Sequence, residues 1–181
     1  MEYRVVYPSE VFHGYTDTAM YVMMLFDPIH DMKVPIMIGK HEAEMMMIEQ
    51  DQQELSRPMT YQLISSVLDT FSLTLKEVHI DRFVEGIFYA NLVISDGIST
   101  KEIDARASDA VLLALHNSVT ILIAENIIEQ IGIKVDTDNK EGDYAMTTIA
   151  DLEEELRQCE EEENYERAEE IMKQINKMKQ P

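Results

Sequence analysis

A single cysteine, Cys159, is present in 181 residues. No intramolecular disulfide framework can therefore form, and the composition fits a reducing, cytosolic setting. No apolar run approaches the ~20 residues that cross a bilayer. The opening Met1-Glu2-Tyr3-Arg4 also lacks the basic and long apolar segments of a cleavable signal. A cytoplasmic chain with no membrane partner is expected. Paired cysteines, His-rich ligand spacing, a Walker loop and a nucleophile elbow are all missing. His13, His30, His41, His79 and His116 are scattered, only His41 stands beside a candidate acid, and surface or core roles are expected for all five.

Basic residues are scarce as well. Lys and Arg total 15 against 35 Asp and Glu, a formal net charge of −20. The excess is spread along the chain: residues 1–140 hold 22 acidic and 10 basic residues, and residues 141–181 hold 13 and 5. Such a field repels nucleic acid and anionic membrane. Any nucleic-acid chemistry would need a local cationic patch or bound metal ions.

Hydrophobic residues make up 45% of the chain, enough for a real core. The length suits one domain, or one domain with an appendage. Arg4–Tyr7, Ala19–Phe26 and Lys33–Ile38 read as strands, with a turn over Asp27–Asp31. Glu42–Glu54, from a start near Gly39, reads as a helix, and Thr60–Phe71 as a second whose entry Arg57-Pro58 fixes. Leu75–Phe83, Ile87–Ile94 and Ile98–Ile103 read as a meander, turned at Gly86 and at the hairpin dipeptide Asp96-Gly97. A helix over Ser108–His116, a strand at Thr120–Ala124 and a short helix at Glu125–Ile131 follow. Hairpin-clustered strands with interspersed helices predict an α+β fold: a mixed, largely antiparallel sheet with packed helices. Residues 1–133 form this domain and 134–148, polar and aperiodic, a linker. Residues 149–181 carry apolar residues at helical spacing on either side of Glu160–Asn164, which predicts a C-terminal α-helical hairpin. Met45, Met46 and Met47 are expected to serve core or a subunit contact rather than a cofactor; with strand edges also to cover, a homo-oligomer, by default symmetry a dimer, is expected.

The densest chemistry lies in Asp104-Ala105-Arg106-Ala107-Ser108-Asp109-Ala110, between a strand-like and a helix-like run. A strand-to-helix junction offers free N–H groups and a positive dipole end, which suit an anion or phosphate. The plainer reading is capping, with Asp109 or Ser108 satisfying the first-turn donors.

Val34-Pro35-Ile36-Met37-Ile38-Gly39 followed by Glu42-Ala43, then Arg57-Pro58-Met59-Thr60, Phe88-Tyr89-Ala90 and the Asp104–Ala110 stretch agree in order and spacing with one family. Over residues 1–133 the chain resembles the bifunctional nuclease family. It departs at Ala107, where that family usually carries proline; alanine also suits a first helical turn. Residues 149–181 resemble the UVR motif, a helical hairpin for protein–protein contact, through Leu152, Leu156, Glu163, Tyr165, Glu166, Ala168 and Ile175.

The first resemblance implies a nuclease acting on DNA and RNA. Phosphodiester cleavage commonly uses Mg²⁺ or Mn²⁺ held by carboxylates. Candidate catalytic and metal-holding acids are Glu42, Asp104 and Asp109, with Glu49, which shares the helix face of Glu42, as a fourth. Arg57 and Arg106 could grip phosphate oxygens, with Thr60 and Ser108 as hydroxyl donors. No organic cofactor is indicated. The alternative is a structural network pairing the arginines with these acids. The whole chain would then be a regulatory adaptor that binds a ligand or self-associates and recruits a repair or proteolysis partner.

Overall fold

Period-two runs rich in Val, Ile, Leu and Met build the sheet first. In the computed structural model, which describes residues 2–14, 20–53 and 55–135, β1 (Tyr3–His13), β2 (Met20–Asp27) and β3 (Met32–Gly39) form an antiparallel meander. β2 is buried along most of its length, with Met23 and Leu25 fully enclosed. Helices α1 (Lys40–Gln50) and α2 (Thr60–Thr70) follow, then a second meander of β4 (Thr74–Val84), β5 (Ile87–Ser95) and β6 (Thr100–Arg106). Its turns have identifiable causes. Glu85 and Gly86 both take positive φ, as a tight two-residue hairpin requires. At the next turn the Asp96 Oδ1 accepts from the Ile98 and Ser99 amides at 2.9 and 2.7 Å.

Helix α3 (Ala107–Asn117), β7 (Thr120–Ala124), α4 (Glu125–Ile131) and the two-residue β8 (Ile133–Lys134) complete the described chain. β7 inserts between β4 and β1, parallel to β4 and antiparallel to β1. The result is one eight-stranded sheet in the order β6-β5-β4-β7-β1-β2-β3-β8, antiparallel except at β4–β7. Four helices pack on it among the described residues, a mixed α+β architecture. None of those helices is long and apolar enough to cross a membrane.

Helix α3 organises the core. Ala107, Ala110, Val111, Leu112, Leu113 and Ala114 are all buried, so it is apolar almost all round. It touches α1, α2 and strands β4 to β7. The methionines behave as core: Met45 and Met46 are buried, and Met47 packs against them. Phe88 stacks on Phe83 with centroids 4.6 Å apart, Ala90 is fully buried, and Tyr89 carries the Arg82 guanidinium 4.6 Å from its ring centre.

Several boundaries differ from the sequence reading, and at the site β6 runs Thr100–Arg106 rather than Ile98–Ile103, so Asp104 and Arg106 stand on the strand itself. β1 runs on to His13 across a register irregularity between Pro8 and Val11. α1 stops at Gln50, where Gln52 turns to φ 52°. Ile133 and Lys134 pair with Lys33 and Met32 in the edge strand β8, so the first residue of the expected linker is strand. The chain divides into units Met1–Asp138 and Asn139–Pro181. The expected linker beyond residue 135, the UVR-like hairpin and Cys159 lie outside the described residues.

Asp27 at the β2–β3 turn ties this half together, with 1% exposure. It accepts from the Ile29 amide (2.9 Å), pairs with His30 Nδ1 (2.8 Å) and lies 3.5 Å from the Arg4 guanidinium, which also bonds Glu125 of α4. Burial pushes its pKa up, but His30 and the backbone donors outweigh that, and the net shift is downward. A depressed folded pKa gives stability that is present above the unfolded value near 3.8 and lost as pH falls through the folded one. Asp27→Ala is expected to cost about 2–4 kcal/mol at pH 7. It should also remove part of the acid-dependent loss of stability, both read from urea unfolding at pH 7 and below pH 4.

Candidate functional site

Arg106 ends β6 and is the N-cap residue of α3, in extended conformation. Its guanidinium reaches two acids on two helices. Nε and Nη2 donate to Asp109 Oδ2 and Oδ1 at 2.8 and 3.0 Å, and Nη1 donates to Glu42 Oε1 at 2.9 Å. Asp109 first, then Glu42, raise the arginine pKa further. Three of its five N–H groups are engaged, so two remain on a side chain 67% exposed. The helix begins without any side-chain cap. The capping role expected of Asp109 or Ser108 is therefore not used: Asp109 turns to Arg106 instead.

Helix α1 is clamped to α3 twice. Glu42 meets Arg106 at its start, and near its end Glu49 accepts a 2.8 Å contact from His116 Nδ1 at the end of α3. The two helices thus run in the same sense. Gly39, the N-cap residue of α1, makes room for this: a Cβ there would lie 2.5 Å from Glu42 Oε2.

The clamp borders a cavity of about 610 Å³. The first turns of three helices wall it, through His41 and Glu42 of α1, Thr60 and Tyr61 of α2, and Asp109 of α3, with Asp104 and Arg106 from β6. Behind this polar mouth the lining is apolar, including Met45, Leu92 and Leu112. On the other side of Glu42 and Arg106 lies a groove of about 250 Å³ reaching Ile38, Phe88 and Ser108.

Of the residues expected from sequence, Glu42, Thr60, Asp104, Arg106 and Asp109 share one cavity wall. Ser108 faces the neighbouring groove. Arg57 is exposed and does not line the cavity. Glu49 points to the far end of α1 and is occupied by His116. Alternation along β6 turns Ala105 to the cavity face with Leu92, while the Asp104 side chain shares the opposite face with its strand partner Asn91; among the described residues Asp104 has no hydrogen-bond or ion-pair partner. The acids do not form a metal cage as placed. Both Asp109 oxygens and one of Glu42 bind Arg106, and among the described residues no three His, Cys, Asp or Glu side chains converge on a point.

Two features at or behind the wall, Tyr61 and His116, have no signal in the local sequence. Tyr61 is buried, and its ring meets His116 edge-on at 5.3 Å. Burial first, then the nearby Glu49 carboxylate, push its hydroxyl up to about 12. His116 finds Glu49 across 67 positions, which only knowledge of the α1–α3 pairing could have anticipated.

An α+β sheet with three helix starts and an arginine–carboxylate clamp around one cavity defines the class of domain. Residues 23–136 match the family model described as "Bifunctional nuclease domain", and the chain belongs to that family. It is also 35% identical over 120 residues to uncharacterized proteins of Mycobacterium tuberculosis, in strains CDC 1551 / Oshkosh and ATCC 25618 / H37Rv. Those matches cover 66% of this chain and 71% of each relative.

The exposed clamp contributes little to folding. Arg106→Ala is expected to cost no more than about 1 kcal/mol, as exposed ion pairs do. Leu113→Ala, one layer deeper on the same helix, should cost about 2–5 kcal/mol. Equilibrium urea unfolding of both variants checks this; a larger loss for Arg106 would make the clamp a structural element.

Proposed function

We propose that this domain hydrolyses phosphodiester bonds of DNA and RNA at the mouth of the cavity. The observation carrying the proposal is the convergence of three helix first turns and Arg106 on one cavity in a chain of the nuclease family. Helix N-termini favour phosphate oxygens through their free N–H groups and dipoles. The two free N–H groups of Arg106 hold the scissile phosphate, and Glu42 and Asp109 fix the guanidinium plane. Thr60 adds a hydroxyl donor and Ser108 another from the adjacent groove, while Arg57, exposed and three residues ahead of α2, adds a positive charge to the surface. Glu42 Oε2, the clamp oxygen that Arg106 does not engage, takes the proton of the attacking water as the water oxygen bonds to phosphorus, and the ester P–O bond breaks with the leaving alkoxide taking a proton from solvent. The Mg²⁺ or Mn²⁺ expected from the sequence would be held by carboxylates of Glu42 and Asp109 in competition with Arg106, and would polarise the phosphate as a Lewis acid. Residues 149–181, through their UVR-like pattern, are assigned to contact with a protein partner.

A second reading draws on the apolar depth of the cavity. Met45, Met59, Ile64, Leu92, Leu112 and Leu113 suit the body of a small ligand, which would make the domain a regulatory adaptor. Assays on labelled single- and double-stranded DNA and RNA, in Mg²⁺, Mn²⁺ and EDTA, separate the two. Cleavage by the intact chain is expected, reduced about a hundredfold in Glu42→Gln and in Arg106→Ala and little changed in Asp104→Ala. Equal cleavage by the variants would remove the cavity from the chemistry, and no cleavage in any condition would favour the adaptor.

Charge gives an independent expectation. A chain of net charge −20 repels a polyanion, so salt should help the encounter. Initial rates at low substrate should rise between about 20 and 150 mM KCl, the reverse of a basic nuclease.

A further inference from the structure

Helix α2 carries two apolar stripes, and among the described residues the fold buries only one. Tyr61, Ser65 and Leu68 face inward and are buried. Leu63, Val67 and Phe71, spaced by four, form a second row that stays 56%, 45% and 70% exposed. Ile64, 38% exposed, flanks it. The adjacent row is polar in composition but not in demand. Ser66 Oγ donates to the Gln62 carbonyl at 2.9 Å, and Thr70 Oγ1 to the Ser66 carbonyl at 2.7 Å, so both hydroxyls are satisfied within the helix.

We propose that this face is a self-association surface, where two copies of the chain pack α2 against α2 about a two-fold axis near Val67. Three features select a second copy as the occupant. The row is symmetric about Val67, so a two-fold axis there brings Leu63 of each copy to Phe71 of the other. A row spaced by four is the ridge that interdigitates with its own kind when helices cross near −50°. The third feature is charge. Two chains of net charge −20 repel almost everywhere, yet the only ionisable acid or base in Thr60–Thr70, apart from the Tyr61 phenol, is Asp69. Leu63, Ile64, Val67 and Phe71 are all exposed and lie side by side on this face. They supply the apolar centre of a standard interface of about 800 Å² per partner, the rest coming from its rim. Ile64 also lines the large cavity, so the second copy would stand beside the cavity mouth.

The test is the mass of the full chain by light scattering and sedimentation at about 1–100 μM. A dimer of the 20.9 kDa chain is expected, with Val67→Glu raising the dissociation constant at least a hundredfold while circular dichroism stays unchanged. Ile98→Glu, at the fully exposed tip between β5 and β6, should leave the dimer intact. In a Cys159→Ser background, Val67→Cys should form a disulfide-linked dimer on oxidation. A monomeric wild type at 100 μM overturns the proposal, including one whose α2 face instead captures vesicles or another protein. So does a dimer that survives Val67→Glu, or one in which Val67→Cys fails to cross-link.

Discussion

The burial of α3 is the constraint on which the rest depends. Its residues from Ala110 to Ala114 are all sequestered, so α1, α2 and the strands β4 to β7 must close around it. Once they do, its first turn can emerge only at the end of β6, and Arg106 falls at the junction. The clamp is therefore a consequence of packing rather than its cause. Deep apolar contacts hold the helices, while an exposed guanidinium adds little stability and remains available for another task. That division separates an energetic core from a chemical surface only one helical turn away.

The polar half of the site can be compared charge by charge. Glu42, Asp104 and Asp109 bring three negative charges and Arg106 one positive. Three helix N-termini contribute about half a positive charge each. The sum lies near zero, so the cavity mouth is far less acidic than the chain as a whole. An Arg whose fork is already fixed by two carboxylates also loses less freedom on meeting a phosphate than a mobile one. In the proposed phosphate site the acids would thus aid anion binding, a role that their sign alone would deny them.

Much of this was readable from the sequence, and the rest was not for physical reasons. The β4–β6 meander followed from turn chemistry at Gly86 and Asp96-Gly97, because those residues select backbone conformations locally. β8 escaped notice because two residues make no pattern; it exists only because β3 offers an edge. The end of α1 was placed too late because Asp51–Glu54 continues a polar, helix-compatible composition while Gln52 leaves helical space. At the site, Arg106 and Asp109 were legible as neighbours three apart. Whether Asp109 would bond the backbone or the guanidinium was not, since both partners lie within its reach. Glu42 came from the spacing of family motifs, and the Glu49–His116 pair from neither source, because helix pairing across 67 positions leaves no local mark.

The two unusual surfaces, an acidic exterior and an uncharged α2 face, belong to one physical argument. At physiological ionic strength charges act over about 8 Å, so the exterior sets encounter rates while local groups set binding. A strongly acidic surface keeps copies apart wherever it is present, and contact is then confined to the face that lacks charge. Helix α2 is that face, and its first turn is also a wall of the cavity. The repulsion that would oppose a polyanion is the same repulsion that would make the proposed self-association selective for one geometry. Charge placement, more than net charge, then decides both what reaches the clamp and how the chain meets its own copy.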